Sequence, residues 1–299
     1  MKRPTLKDIA KEVGVSVATV SYVLNGNTKQ SISEETRDKI IQAANRLNYV
    51  PNLAARSLVK RKSGLVGVLI VKQKQNKMPI FTNHNYRLLE KIEEYLATKG
   101  YHVLSSNINL DEPNLDIIKQ RDLDGVLIFN VDNKIFYDIS IKFTVPILLI
   151  DAYLDDILFH KIIVDYLSYA RKLNVDKKYI VLIPKLNNEH LMEKIKQDSN
   201  ENEEVYFIDS IENLKRVLSK HPNEKIVVVS EELGSVVSRY IDKNRISVIC
   251  INNEEYLLDE EVQRIKVDIE EKAKLISDLL LRYIDKDYKY VQYTVIEAE

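Results

Sequence analysis

From Gly64 onward the chain keeps switching its hydrophobic period, and that alternation limits the fold more than any other feature. The runs "GLVGVLIV", "YHVLSSN", "DGVLIFN", "VPILLID", "KYIVLIP", "EVYFIDS", "KIVVVS" and "ISVICIN" are nearly continuous and rich in β-branched residues. Between them lie stretches with helical spacing: "YRLLEKIEEYLATKG", "NLDIIKQR", "DYLSYARKLN", "NEHLMEKIKQ", "IENLKRVLSKH" and "EELGSVVSRYIDKN". Strands that are apolar on both faces belong to parallel sheets covered by helices on either side. There are too many for one comfortable sheet, so two doubly wound lobes are expected. The fold class is therefore α/β.

The residues before Gly64 follow a different pattern. Residues 1–62 hold twelve Lys/Arg and five Asp/Glu, a surplus of seven positive charges in a chain whose net charge is −1. A basic head on an acidic body points to a polyanion partner for the head. In "PTLKDIAKEVG" Thr5 and Asp8 are spaced for a capping box, Leu6, Ile9, Ala10 and Val13 share a face, and Gly14 supplies a turn. Ser16 caps a second helix whose inward residues are Val20, Val23 and Leu24. Ser33 caps a third, with Ile40, Ala44 and Leu47 as its stripe and Ile41 and Ala43 beside it. Three short helices with a tight glycine-marked turn make a helix-turn-helix unit.

The second helix, in "VSVATVSYVLNG", carries no charge. Its outward residues Val17, Ala18, Ser21, Tyr22 and Asn25 are small or neutral, which suits a helix that must approach base edges in a major groove. Valine and alanine methyls can pack on thymine methyls, and Tyr22 can stack or hydrogen-bond. Thr5, Ser16, Thr19, Ser21 and Asn25 offer short polar groups of the kind that register a protein on phosphates.

The stretch from Leu6 to Val68 resembles the lac repressor (LacI–GalR) family of bacterial transcription regulators. The matching residues are "TLKDIAKEVGVSVATVSYVLNG", "S.ETRDKI", "LNYVPN.AARSL" and "GVLI". The resemblance implies a hinge in "NLAARSL" that becomes helical on DNA. Leu58 would wedge into the central base step of a palindrome, Ala54 and Ala55 would allow close approach, Arg56 could neutralise phosphates, and Asn52 would also belong to the DNA-binding set. An apolar wedge that unstacks a step is sound chemistry in itself. Taken alone, "VKRKSG" reads equally as a solvated linker. Many relatives carry arginine where Tyr22 stands, so an operator read through thymine methyls and shape is expected here. Expected boundaries are a helix-turn-helix domain at 1–50, a hinge helix and linker at 51–63, and a core at 64–299. The family core looks like a periplasmic sugar-binding protein. Its connectivity implies a first lobe of about 64–162 and 262–285 and a second of about 163–261 and 286–299.

Ligands of open α/β sheets sit at the carboxyl ends of strands. The residues there are Asn107, Asp151, Glu231, Glu232, Asn252 and Asn253. They read either as a rebuilt pocket for an altered effector or as a helix start and loops with solvated polar groups. The usual arginine early in the second lobe is absent from "NNEHLMEKIKQDSNENEEV", and Glu231-Glu232 and "CINNEE" replace the usual motifs. Control by a protein partner, or no effector at all, also fits.

Other classes fit less well. Five histidines lack metal-ligand spacing, and no glycine-rich phosphate loop appears among seven glycines. Neither a catalytic site nor a cofactor is expected. The single cysteine, Cys250, reads as a buried strand residue. No apolar run has signal-peptide or membrane-spanning length, so a cytoplasmic protein is expected. The reading is a DNA-binding transcription regulator, of the repressor type, acting as a homodimer on a palindromic double-stranded operator. A small-molecule-binding protein of the periplasmic type, without a DNA role, is the alternative.

Overall fold

The computed structural model describes residues 4–24, 31–47, 49, 62–72, 80–109, 121–173, 178–287 and 291–298. By its contacts the chain divides into two compact units, Met1–Arg61 and Lys62–Glu299.

In the first unit three helices, α1 (Leu6–Val13), α2 (Val17–Leu24) and α3 (Glu34–Arg46), share one apolar cluster. Ile9, Val20, Ile40 and Ala43 are fully buried at its centre, with Ala10, Val23 and Ala44 beside them. Asp8 Oδ2 accepts the backbone N–H and the hydroxyl of Thr5, each at 2.7 Å, which fixes the start of α1. Gly14 ends α1 at φ 74°, a left-handed conformation that glycine adopts without steric cost. Ser33 Oγ accepts the Thr36 N–H at 3.3 Å and caps α3. Arg46 then ties α3 to α1 through two bonds to Glu12, of 3.1 and 2.7 Å. Ile41 departs from expectation. It is 47% exposed, because the stripe of α3 narrows to Ile40, Ala43 and Ala44.

The second unit contains two parallel sheets. The six-stranded sheet has the order β11-β5-β4-β3-β1-β2 and the five-stranded sheet β10-β9-β8-β6-β7. The first comprises β1 (Leu65–Lys72), β2 (His102–Asn109), β3 (Gly125–Phe129), β4 (Ile147–Ile150), β5 (His160–Val164) and β11 (Tyr293–Ile296). The second comprises β6 (Tyr179–Pro184), β7 (Glu203–Ile208), β8 (Lys225–Val229), β9 (Ile246–Cys250) and β10 (Gln263–Lys266). The described helices of this unit are α4 (Ile80–Thr98), α5 (Asn133–Ser140), α6 (Tyr166–Lys172), α7 (Glu189–Gln197), α8 (Ile211–Lys220), α9 (Glu231–Val237) and α10 (Ile269–Asp285).

The continuous apolar runs arise because both faces of each strand are covered. Along β1, Val66, Val68 and Ile70 pack under α4 and α10, while Leu69 and Val71 pack with Phe136 and Ile139 of α5. β6 divides in the same way, Val181 and Ile183 on one face and Ile180 and Leu182 on the other. Period two along a strand makes this split automatic.

The expected lobe boundaries need two corrections. β11 lies in the first sheet, paired in parallel with β5 from Tyr293↔Lys161 to Ile296↔Val164, not in the second lobe. β10 pairs with β9 and completes the second sheet, not the first. The chain therefore returns to the first lobe only with α10. Some elements, α5 and β5 among them, are also additional to the sequence reading. α5 is short and capped by Asp132, and β5 opens with the polar pair His160-Lys161. Conversely, the helix expected over "EELGSVVSRYIDKN" stops at Val237. The helix near "NLDIIKQR" falls almost wholly outside the described residues.

Candidate functional site

Within the head, the turn and the cap decide which face of α2 is left outward. Gly14 and Val15 both donate to Ala10 O, at 2.9 and 3.1 Å, so α2 begins at once. Ser16 Oγ accepts the Thr19 N–H at 3.0 Å and lies 2.8 Å from the Thr19 hydroxyl, which orients the first turn. Val20 is fully buried and Val23 is 8% exposed. On the opposite side Val17 and Tyr22 are 40% and 38% exposed. Ala18 is exposed, and Thr19 and Ser21 are half-buried. Of the expected outward residues, Val17, Ala18 and Tyr22 are thus exposed together. Asn25, Asn52, Ala54, Ala55, Arg56 and Leu58 lie outside the described residues.

In the core, the carboxyl ends of several strands carry the other candidates. Four non-glycine residues with left-handed backbones stand just beyond strands: Asn130 after β3, Asp151 after β4, Ser230 after β8 and Asn253 after β9. Such conformations cost of order 1 kcal/mol or more each and concentrate at functional sites. Asp151 is buried, and its two carboxylate oxygens lie 3.0 and 2.8 Å from Lys272 Nζ of α10. Lys272 Nζ also lies 3.4 Å from Nε2 of the buried His84 in α4. His84 Nδ1 meets Asn252 Oδ1 at 2.8 Å. Burial, and next the Lys272 charge, push the His84 imidazole down to about 4.

Glu231 is completely buried and takes the backbone N–H groups of Ile251, Asn252 and Glu254 at 3.0, 3.0 and 3.1 Å. Its carboxylate thereby fixes the loop after β9. Glu232 accepts the Ser230 hydroxyl at 2.7 Å and the Asn252 amide at 3.2 and 3.3 Å. Burial raises its carboxyl pKa. Asn107 and Asn253 stand apart from this cluster. Both are exposed, and Asn107 Oδ1 accepts the Tyr86 hydroxyl at 2.8 Å.

The two lobes meet through further contacts. Asn187 Nδ2 donates to Val71 O at 2.9 Å, and Asn188 Nδ2 to Val131 O at 2.6 Å. Arg87 pairs with Glu254. Ile80, the first residue of α4, packs into the apolar cluster of the second sheet. An open cavity of about 670 Å³ runs along α10 and β11, and none of the six candidate effector residues lines it. Cys250 is buried in β9, and burial pushes its thiol up to about 12. Among the described residues no cluster of three or more His, Cys, Asp or Glu could hold a metal ion. No helix among them is long and apolar enough to cross a membrane.

Residues 5–52 match the family described as "Bacterial regulatory proteins, lacI family". Over these residues the chain is similar to the lacI family.

Among curated proteins it resembles the ribose operon repressor of Haemophilus influenzae, at 28% identity over 163 residues, covering 53% of this chain and 46% of that protein. It resembles catabolite control protein A of Staphylococcus xylosus at 30% over 196 residues, 64% of this chain and 52% of that protein. The matches thus span about half the length of these curated relatives. Among solved structures, the lac repressor dimer bound to operator and the anti-inducer ONPF superposes with a TM-score of 0.69 at 19% identity, covering 99% of this chain and 96% of that one. The transcriptional regulator CelR–cellobiose complex gives 0.59 at 15%, covering 99% and 98%. At such identities the likeness is one of fold.

Sequence reasoning missed His84 and Lys272. Both carried a readable signal. Lys272 occupies the stripe Ile269, Ala273, Ile276, Leu280 of α10, and His84 continues the stripe Leu88, Ile92, Leu96 of α4. A titratable residue on the apolar face of a helix needs a buried partner.

Proposed function

We propose that the chain is a sequence-specific DNA-binding transcription regulator of the repressor type, acting as a homodimer on a palindromic operator. The outward face of α2 carries the reading. Val17, Ala18 and Tyr22 are exposed on a helix held from behind by Val20 and Val23, so a slim uncharged surface is presented by a basic head. A single small head makes few base contacts. Two heads on one duplex gain affinity through their high local concentration, which favours paired half-sites. The repressor names of the relatives support the same direction of control. The core would alter the placement of the heads when its lobes shift, in response to a small molecule or a protein partner.

The test is enrichment of duplexes from random DNA by the full chain at low ionic strength. A palindrome should emerge, and its affinity should fall steeply with added salt as phosphate counterions are displaced. Tyr22→Asp, which sets a negative charge on the outward face, should abolish enrichment. Recovery of no palindrome, or equal enrichment by Tyr22→Asp, would reject the reading.

A further inference from the structure

Four of the six positions expected to meet an effector, Asp151, Glu231, Glu232 and Asn252, are already engaged by the chain's own groups. Lys272 is almost fully buried, and its ammonium has three hydrogens and three acceptors in place: both oxygens of Asp151, at 3.0 and 2.8 Å, and His84 Nε2, at 3.4 Å. Because His84 Nε2 accepts, its hydrogen stands on Nδ1 and is donated to Asn252 Oδ1 at 2.8 Å. That contact orients the Asn252 amide so that Nδ2 donates to Glu232, at 3.2 and 3.3 Å. The result is a chain of donors running one way, Lys272 to His84 to Asn252 to Glu232. It begins in the first lobe and ends in the second.

The geometry points to a built-in ligand in place of a diffusible one: Lys272, tethered to α10 and seated on Asp151, sets the orientation of His84, whose bond to Asn252 of the second lobe holds the two lobes together at the positions expected to meet an effector. Burying an ammonium and a carboxylate costs several kcal/mol, and an apolar pair of similar size often serves stability as well. What the pair adds is directionality, because each donor fixes the orientation of the next group. A tethered cation also loses no translational freedom on docking, so closure needs no threshold concentration of anything. The left-handed backbone of Asp151, whose N–H is held by Ile162 O at 2.9 Å, presents the carboxylate to α10. The inference concerns the core alone and is independent of whether the head binds DNA.

The experiment uses the full chain with nitroxide labels on cysteines introduced at Lys142 in the first lobe and Lys196 in the second, both exposed. Cys250 is buried and does not compete for label. Pulsed electron–electron resonance should give one narrow interlobe distance without any ligand, unchanged by millimolar D-ribose, D-glucose or adenosine. Lys272→Met combined with Asp151→Asn removes the cation without stranding the carboxylate, and should broaden and lengthen the distribution. Asn252→Leu severs the chain at its middle, leaves no buried charge unpaired, and should do the same. It provides the answer if the double variant fails to fold, as judged by circular dichroism. A broad distribution in the unliganded wild type would overturn the proposal. So would a wild-type distribution in the folded variants, or a shift of the wild-type distance on adding any of the three probes.

Discussion

Arg171 holds Glu203 with two parallel bonds, Nε to Oε1 and Nη2 to Oε2, each of 2.8 Å. Glu203 has no exposed side-chain surface, and Tyr179 adds its hydroxyl at 2.8 Å. Burial is the largest single influence on this carboxyl and raises its pKa, but the Arg171, Tyr179 and Asn200 bonds together leave it lowered. Arg171→Met would leave a buried carboxylate short of its cation, at a cost of about 3 kcal/mol. Lys39→Met, which breaks the exposed pair with Glu35, should cost far less. Urea unfolding of the two variants checks the contrast.

Acid should weaken the core through His84. Its imidazole is held at about 4 by burial and by the neighbouring Lys272 charge, opposed by Asp151, while an unfolded histidine titrates near the reference value of 6.5. The folded state therefore refuses a proton that the unfolded state accepts. The contribution is fully present above pH 6.5 and is lost progressively as pH falls toward 4. It amounts to about 3 kcal/mol. His84→Gln keeps a donor and an acceptor without titrating. The stability gap between wild type and His84→Gln, measured by urea unfolding, should shift by that amount between pH 7 and 4. A constant gap would contradict the neutral, buried imidazole.

Three glycines should respond to alanine for different reasons. A Cβ at Gly234 would stand 2.8 Å from Val248 Cγ2 and 3.1 Å from Leu258 Cδ2, and valine's branched side chain has little freedom to yield. Gly234→Ala should destabilise by about 1–3 kcal/mol despite alanine's better helix propensity. Gly125→Ala meets Leu280 Cδ1 at 2.9 Å and should press on α10 in the same way. At Gly14 there is open space and only the φ of 74° is at issue, so Gly14→Ala should cost about 1 kcal/mol. Thermal unfolding of the three variants tests the ranking.

Tyr22→Arg should redirect the head toward guanine. A guanidinium reads guanine O6 and N7 through two bonds, worth about 1–3 kcal/mol of discrimination, whereas the Tyr22 surface makes no such demand. Binding-site selection with wild type and Tyr22→Arg should differ at one position in each half-site. A wild-type requirement for guanine at the position facing Tyr22 would contradict the proposed mode of reading.

Much of this architecture is legible from residue order because period two and period 3.6 seldom imitate each other over long runs. The head is legible through caps: Thr5, Ser16 and Ser33 each stand one residue before a helix. β5 is hidden because its first two residues are His160 and Lys161, both buried. The partners of His160, Tyr283 and Thr294, lie far away in sequence, while the Lys161 ammonium donates to the nearby Asp156 O and lies 4.8 Å from the Tyr293 ring centre. For the same reason residue order does not disclose that Asp151 and Asn252 are already satisfied. Lys272 is 121 positions from Asp151, and His84 is 168 from Asn252. Spacing along a chain reports neighbours on one helix or strand, and these pairings are set by how helices pack on a sheet and how the two lobes meet.

The place of β11 bears on how the molecule is made. All strands of the second sheet come from the continuous stretch 179–266, whereas the first sheet waits for residues 293–296. A nascent chain therefore has the later lobe ready while the earlier one still lacks its outermost strand. Until then the edge of β5 offers Lys161 and Asp165 N–H groups that belong to Gln292 O and Ile296 O, at 3.0 and 2.9 Å. An open row of this kind recruits any extended segment nearby. Chains truncated before Tyr293 should consequently yield aggregates seeded at one sheet edge.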